Sequence, residues 1–173
     1  GAGMPVTTPC TTINKVCGSS LKAAMIAATE IKAGVSKVVV VGGMESMSNS
    51  PYIARNPRKG DDVSFSSLES VMIEDGLTDA FSGESMGNTG DTIAVDHNIT
   101  RKHADRFSVI SHFKANQAWN RGWIDNEVFP VGSTIRDEGI RSETNEEVLA
   151  NLKPVFRDSG IVTAGNASQV SDG

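Results

Sequence analysis

Two residues of this chain carry a thiol, Cys10 and Cys17, and their settings differ. Cys17 stands where a Thr- and Val-rich run, Val6 to Val16, gives way through Gly18-Ser19-Ser20 to a helical pattern. Unpaired N–H groups and the positive end of a helix dipole favour thiolate over thiol. A neighbouring glycine keeps the sulfur uncrowded and lets the backbone turn sharply. Those are the requirements of a nucleophile that accepts an acyl group. The same residue also reads as a small buried hydrophobe, since free cysteine is among the most buried residue types. Cys10 has no comparable context and is expected to serve packing. Two cysteines are too few for a disulfide scaffold and fit a reducing compartment, cytoplasmic or mitochondrial.

The elements that would position Cys17 follow from periodicity. Val6 to Val16 reads as an extended segment, entered through Pro5 and Pro9. Leu21, Ala24, Met25, Ala28 and Ile31 recur at helical spacing, and that run closes at Ala33-Gly34. Lys37 to Val41 is a β-branched apolar strand of the kind buried on both faces, so the opening predicts a βαβ unit and an α/β fold. Met44 to Asp62 reads as a long irregular loop. A helix is expected from near Ser85 towards His97. A second runs from Arg101 to Arg121, capped by Thr100, with Phe107, Ile110 and Phe113 on or near one face. Glu127 to Val131 is a strand candidate, Glu143 to Leu152 a short helix stopped by Pro154, and Ile161 to Ala164 a further strand. Asn166 or Ser168 could cap a helix beyond them.

Bulk properties narrow the function classes. The chain has 173 residues, enough for one good-sized domain or a small one carrying a large insertion. Seventeen glycines suggest tight turns and close backbone approaches. A net charge of −5 argues against a nucleic-acid partner, although a few Arg and Lys in one cleft could still serve a phosphorylated group. No apolar run approaches the length of a membrane span. Both ends of the chain read as cut.

Four blocks, in order, carry a family resemblance. PCTTINKVCGSSLKAAMIA (Pro9 to Ala27) resembles the segment around the active-site cysteine of thiolases. VVVVGGMESMSNSPY (Val38 to Tyr52), DGLTDAF (Asp75 to Phe81) and VTAGNASQVSDG (Val162 to Gly173) continue the match. The resemblance implies a thiolase-like α/β fold in which residues 1–45 and 160–173 form parts of the first α/β half. Residues 46–159 would be an inserted loop domain for CoA binding and assembly, and the second half is absent. It implies acyl transfer between CoA thioesters through an acyl-cysteine at Cys17, whose own N–H would be half of an oxyanion hole. Acetoacetyl-CoA formation or cleavage and 3-ketoacyl-CoA thiolysis both belong to this chemistry, and lipid metabolism is its setting. A coenzyme A thioester is the substrate, with no metal and no tightly bound cofactor.

The resemblance also implies that Leu77 and Met86 line the CoA cleft and that Arg141 lies beside the adenine and phosphates. Phe156 would stand along the pantetheine channel, with Ala164 and Ser168 at its amides. From the residues alone, Leu77 and Phe156 could equally be core, Arg141 a solvated charge and Ser168 a helix cap. Glu45 is expected to hydrogen-bond the loop after the Lys37 to Val41 strand. Where many short-chain thiolases carry a His before the Met-Gly pair, Ser85 precedes Met86-Gly87, which leaves substrate length open. The family's catalytic His, in a GHP segment, and its second catalytic Cys have no counterpart in this sequence. His97, His103 and His112 match no catalytic position and read as surface residues. The chain alone is therefore expected to lack turnover and to expose apolar faces that the missing second half and a homodimer or homotetramer would cover. Two other readings remain, a non-catalytic CoA-binding or assembly module and a condensing ketosynthase. The latter lacks the GGMESMSN and VTAGNAS blocks in this form.

Overall fold

The computed structural model describes residues 3–55 and 57–173, and the chain divides into two compact units, Gly1–Asn49 with Asp172–Gly173, and Ser50–Ser171.

In the first unit the one long element is α1, Ser19–Lys32. It ends as the sequence predicts: Gly34 takes φ +72°, its N–H donates to Ile31 O (3.1 Å), and Val35 N–H donates to Glu30 O (3.0 Å). This is a Schellman closure, which needs a residue free to enter the left-handed region. The expected strand over Lys37–Val41 forms no ladder, and Val38 and Val40 are 85% and 84% exposed. A strand buried on both faces needs hydrogen-bonded neighbours on both edges, and the described residues of this unit supply none. Val6 to Val16 likewise joins no strand among the described residues, and Cys10 is exposed rather than packed. Glu45 accepts the N–H of Ser46 (2.9 Å) and exchanges backbone hydrogen bonds with Gly173. Ser48 donates its hydroxyl and its N–H to the Asp172 carboxylate, and these two bonds, the hydroxyl first, hold that carboxyl below its usual range.

The second unit opens on a two-stranded antiparallel ribbon, β1 (Tyr52–Ile53) and β2 (Glu69–Ser70), in register Tyr52↔Ser70 and Ile53↔Glu69. A π-helical turn, Met72–Leu77, follows, and then α2 (Met86–Asp96), α3 (Arg101–Asn120) and α4 (Glu146–Ala150). The expected strands at Glu127–Val131 and Ile161–Ala164 reduce to single bridges, Val131↔Thr134 and Pro154↔Thr163. No helix begins at Asn166 or Ser168 among the described residues. α3 starts where its cap predicts. The Thr100 hydroxyl accepts the His103 N–H (3.2 Å), and His103 Nδ1 accepts the Thr100 N–H (3.5 Å), so two otherwise orphaned donors are satisfied reciprocally. Thr100→Ala is expected to cost about 1 kcal/mol of stability, read as a shift in the urea midpoint of the intact protein. Thr100→Ser, which keeps the hydroxyl, should restore most of it.

The face of α3 that docks is not the one its apolar spacing suggests. Phe107 and Phe113 remain 75% and 59% exposed, while Asp105 is 3% exposed. The helix packs through a buried acid because two neighbours bring it donors, Arg101 and Asn166, and a buried charge is tolerated only when paired.

Candidate active site

Cys17 lies in a tight turn that opens α1. Gly18 N–H donates to Lys15 O (3.0 Å), closing a four-residue turn around Val16 and Cys17. Val16 has φ +47°, a conformation a β-branched residue rarely enters. The Val16 N–H donates to Asn14 Oδ1 (2.9 Å). The Ser19 hydroxyl accepts the Lys15 N–H (2.9 Å) and donates to Val16 O (2.6 Å). Cys17 itself is exposed, which sets aside its reading as a buried hydrophobe. Gly43 packs so closely on the Ser20 hydroxyl that a Cβ there would overlap it.

Within the second unit, four of the residues singled out from the sequence sit on segments that the fold joins. Leu77 ends the π-helical turn, and the next residue, Thr78, bridges antiparallel to Ser85, which caps α2 just before Met86. The intervening turn is fastened by Asp79, whose carboxylate accepts from Ser82 N–H (2.7 Å), Phe81 N–H (2.9 Å) and the Ser82 hydroxyl (3.1 Å). Those bonds, Ser82 N–H first, hold the Asp79 carboxyl below its usual range. The turn therefore keeps this contribution above the ordinary carboxylate pKa and loses it as pH falls through the depressed one. Gly87, one residue into α2 after Met86, lies under the Phe156 ring, where any Cβ would overlap the ring atoms. The Phe156 segment in turn bridges the segment of Ala164 through Pro154↔Thr163, with Val155 N–H on Val162 O (3.0 Å). Leu77 is half-buried, Met86 and Phe156 are 39% and 40% exposed, and Ala164 and Ser168 are exposed, so each keeps a face open to a ligand.

The segment 161–168 owes its position to residues that sequence pattern did not single out. Asp91 on α2, 3% exposed, accepts Ile161 N–H (2.7 Å) and Val162 N–H (3.0 Å) through Oδ1. Gly160 leaves room for its carboxylate. Asp105 on α3 accepts Asn166 Nδ2 (2.9 Å) on one oxygen and Arg101 Nε (2.8 Å) on the other. Asn166 also donates to Ile161 O (2.9 Å) and accepts Thr163 N–H (2.8 Å). The Arg101 guanidinium reaches on to Leu149 O and Leu152 O (2.8 Å) at the end of α4. Two buried carboxylates thus take the part that ladder hydrogen bonds would take in a sheet. The sequence signal for one of them was the i, i+4 spacing of Arg101 and Asp105; Asp91 carried none.

Arg141 stands apart from this group. Its backbone N–H donates to His112 Nδ1 (3.1 Å), and its side chain is exposed. Its neighbour Ile140 and the neighbour of Ser168, Gln169, both line an open cavity of about 270 Å³, which also receives His112 and Asp137. Gln169 Nε2 closes one side of it on Gly139 O (2.7 Å). Of the three histidines, His103 serves the α3 cap and His112 holds Arg141, while His97 is an exposed residue just after α2. Among the described residues no helix is long and apolar enough to cross a membrane.

The chain is similar to known proteins along its whole length. The model of the family described as thiolase, N-terminal domain, matches residues 1–173. A probable acetyl-CoA acyltransferase of Staphylococcus epidermidis is 44% identical over 180 residues, covering 99% of this chain and 46% of that protein. One of Staphylococcus aureus strain COL is 42% identical over the same span. The crystal structure of the Bacillus anthracis acetyl-CoA acetyltransferase superposes with a TM-score of 0.88 at 37% identity, covering 99% of this chain and 45% of that one. The chain thus has the fold of these proteins and spans about half the length of the curated relatives it matches.

Proposed function

Because the chain belongs to the thiolase family, we propose that it carries the nucleophile and most of the coenzyme A contacts of an enzyme transferring acyl groups between CoA thioesters. Cys17 Sγ, as thiolate, attacks the thioester carbonyl. A bond forms between Cys17 Sγ and the acyl carbon, the bond from that carbon to the CoA sulfur breaks, and the CoA thiolate leaves with the electron pair. A second acceptor, fresh CoA or the carbanion of another acetyl-CoA, then takes the acyl group from Cys17. The base that deprotonates Cys17 and the acid-base group for the carbanion step are supplied by residues that complete the protein. In thiolysis the same sulfur attacks the 3-keto carbon of a 3-ketoacyl-CoA, acetoacetyl-CoA included. The bond from that carbon to C2 breaks, and the acetyl-CoA carbanion leaves with the electron pair and is protonated, giving the same kind of acyl-cysteine.

Leu77, Met86 and Phe156 would border the CoA arm, Ala164 and Ser168 would meet its pantetheine amides, and Arg141 would lie at the adenine and phosphate end. In this assignment 1–45 and 160–173 serve the first α/β half, and 46–159 the inserted loop domain. The observation that carries the reading is the placement of Cys17: an exposed thiol in the turn that opens α1. Exposed Val38, Val40, Leu21 and Met25 support association with a second half and a second copy, as homodimer or homotetramer. A reducing compartment and a role in lipid metabolism follow from the same assignment.

The test is to incubate the intact protein with acetyl-CoA, quench in acid and map the modified peptide. One acetyl group on Cys17, lost on adding CoA, is the expected result. Acetylation of Cys10 alone would overturn the assignment. CoA binding with no acetylated thiol would instead favour a CoA-binding module without chemistry of its own.

A further inference from the structure

The turn before α1 is held in a conformation its own residues disfavour. Lys15 to Gly18 is closed by the Gly18 N–H to Lys15 O bond, and of its two central residues only Val16 has positive φ. That sign pattern is the one of a type II′ turn, whose first central position belongs to glycine. Valine there is strained by about 1–3 kcal/mol and persists only where its surroundings over-determine it. They do so here at both of its backbone polar groups. Asn14 Oδ1 takes the Val16 N–H (2.9 Å). The Ser19 N–H (3.2 Å) and hydroxyl (2.6 Å) both donate to Val16 O, while the same hydroxyl accepts the Lys15 N–H (2.9 Å).

This clamp fixes one further group. No peptide bond among the described residues is cis, so the Val16 carbonyl and the Cys17 N–H point in opposite directions across one planar unit. With the carbonyl bound to the first helical residue, the Cys17 N–H is turned away from α1. It donates to no acceptor among the described residues. A backbone N–H fixed this way beside an exposed thiol is a donor ready for the oxygen that becomes negative when that thiol attacks a carbonyl.

We infer that Asn14 and Ser19 are positioning residues, which hold Val16 in its left-handed conformation so that the Cys17 N–H is aimed at the developing oxyanion. The inference rests on the reading of Cys17 as the acyl-accepting nucleophile. It separates two reactions of the same sulfur. Acetylation needs the aimed N–H, whereas alkylation by iodoacetamide, a displacement at carbon without an oxyanion, does not. Losing the clamp should therefore slow the first far more than the second.

The experiment uses the intact protein and measures both rates at Cys17 by quenched-flow mass spectrometry. Ser19→Ala and Asn14→Ala are expected to slow acetylation by about a hundredfold, the scale of a misaimed donor, with alkylation changed less than about threefold on the same principle. Asn14→Asp and Ser19→Thr, which keep the acceptor and the hydroxyl, should retain most of the rate. Because glycine adopts positive φ without help, Val16→Gly combined with Ser19→Ala should recover at least about tenfold of the loss. That recovery also separates positioning from a general folding defect. The inference is overturned if either alanine variant acetylates at the native rate, if acetylation and alkylation fall together, or if glycine at position 16 recovers nothing. Acetylation that persists in Cys17→Ala would instead remove the underlying assignment of the nucleophile.

Discussion

Replacing Cys17 by serine is expected to lower thiolysis of acetoacetyl-CoA by the intact protein about 10⁴-fold or more, the scale seen when a covalent nucleophile is lost. A serine hydroxyl ionises far less readily than a thiol, and it makes an oxygen ester rather than a thioester. Acyl transfer on to CoA then becomes uphill as well as slow. The variant should fold as the parent does, because Cys17 is exposed and makes no side-chain hydrogen bond among the described residues. CoA affinity should accordingly be unchanged, so the loss falls on turnover alone. Turnover within tenfold of the parent would show that another group accepts the acyl chain. The same substitution at Cys10, which is exposed and among the described residues bonds only the carbonyl of Thr8, should leave turnover untouched.

The second large effect concerns stability. Asp105→Ala is expected to cost about 3–5 kcal/mol, the range for removing one partner of a buried ion pair. The Asp105 side chain is 5% exposed and the Arg101 side chain 25%, so solvent screens the pair weakly. Removing the carboxylate strands the guanidinium and leaves Asn166 Nδ2 with one acceptor in place of two. Arg101→Met should cost at least as much, since it leaves the more deeply buried Asp105 carboxylate without its cation and gives up the bonds to Leu149 O and Leu152 O. Urea denaturation of the intact protein measures both. A loss below about 1 kcal/mol for Asp105→Ala, the level of an exposed pair, would mean that the acid is a surface residue in solution. CoA binding should weaken in parallel, because the segment bearing Ala164 and Ser168 is fastened to the same carboxylate through Asn166.

Much of this arrangement was legible in the sequence, and what was not has physical causes. The helices were read from their punctuation, which is local chemistry: Gly34 ends α1, Thr100 opens α3, and the Ser85 to His97 pattern matches α2. The strands were misread because a strand depends on its neighbours. Lys37–Val41 has the composition of a buried strand, yet no described residue of its unit pairs with it. The docked face of α3 was misread for a related reason. Phe107, Ile110 and Phe113 have the expected spacing, but one buried carboxylate, Asp105, with donors from Arg101 on the same helix and from the distant Asn166, decided which face turned inward. At the candidate site the position of Cys17 where α1 opens was legible from Gly18-Ser19-Ser20, while the left-handed Val16 was not. Valine is among the last residues one would assign positive φ, and only the paired bonds from Asn14 and Ser19 account for it. Leu77, Met86, Phe156 and Ala164 were named from the family, and the bridges that join their segments came from the structure.

Gly87 beneath the Phe156 ring has a consequence for how this site can change over generations. A methyl group at position 87 meets an aromatic ring, so a larger residue there requires Phe156 to move. Once position 156 has shrunk, to leucine for example, the same step at 87 becomes easier, and reverting 156 then carries the cost of the contact. The two positions form an epistatic pair with a favoured order of entry, 156 before 87. Substitution at this contact is therefore easier through the aromatic residue first.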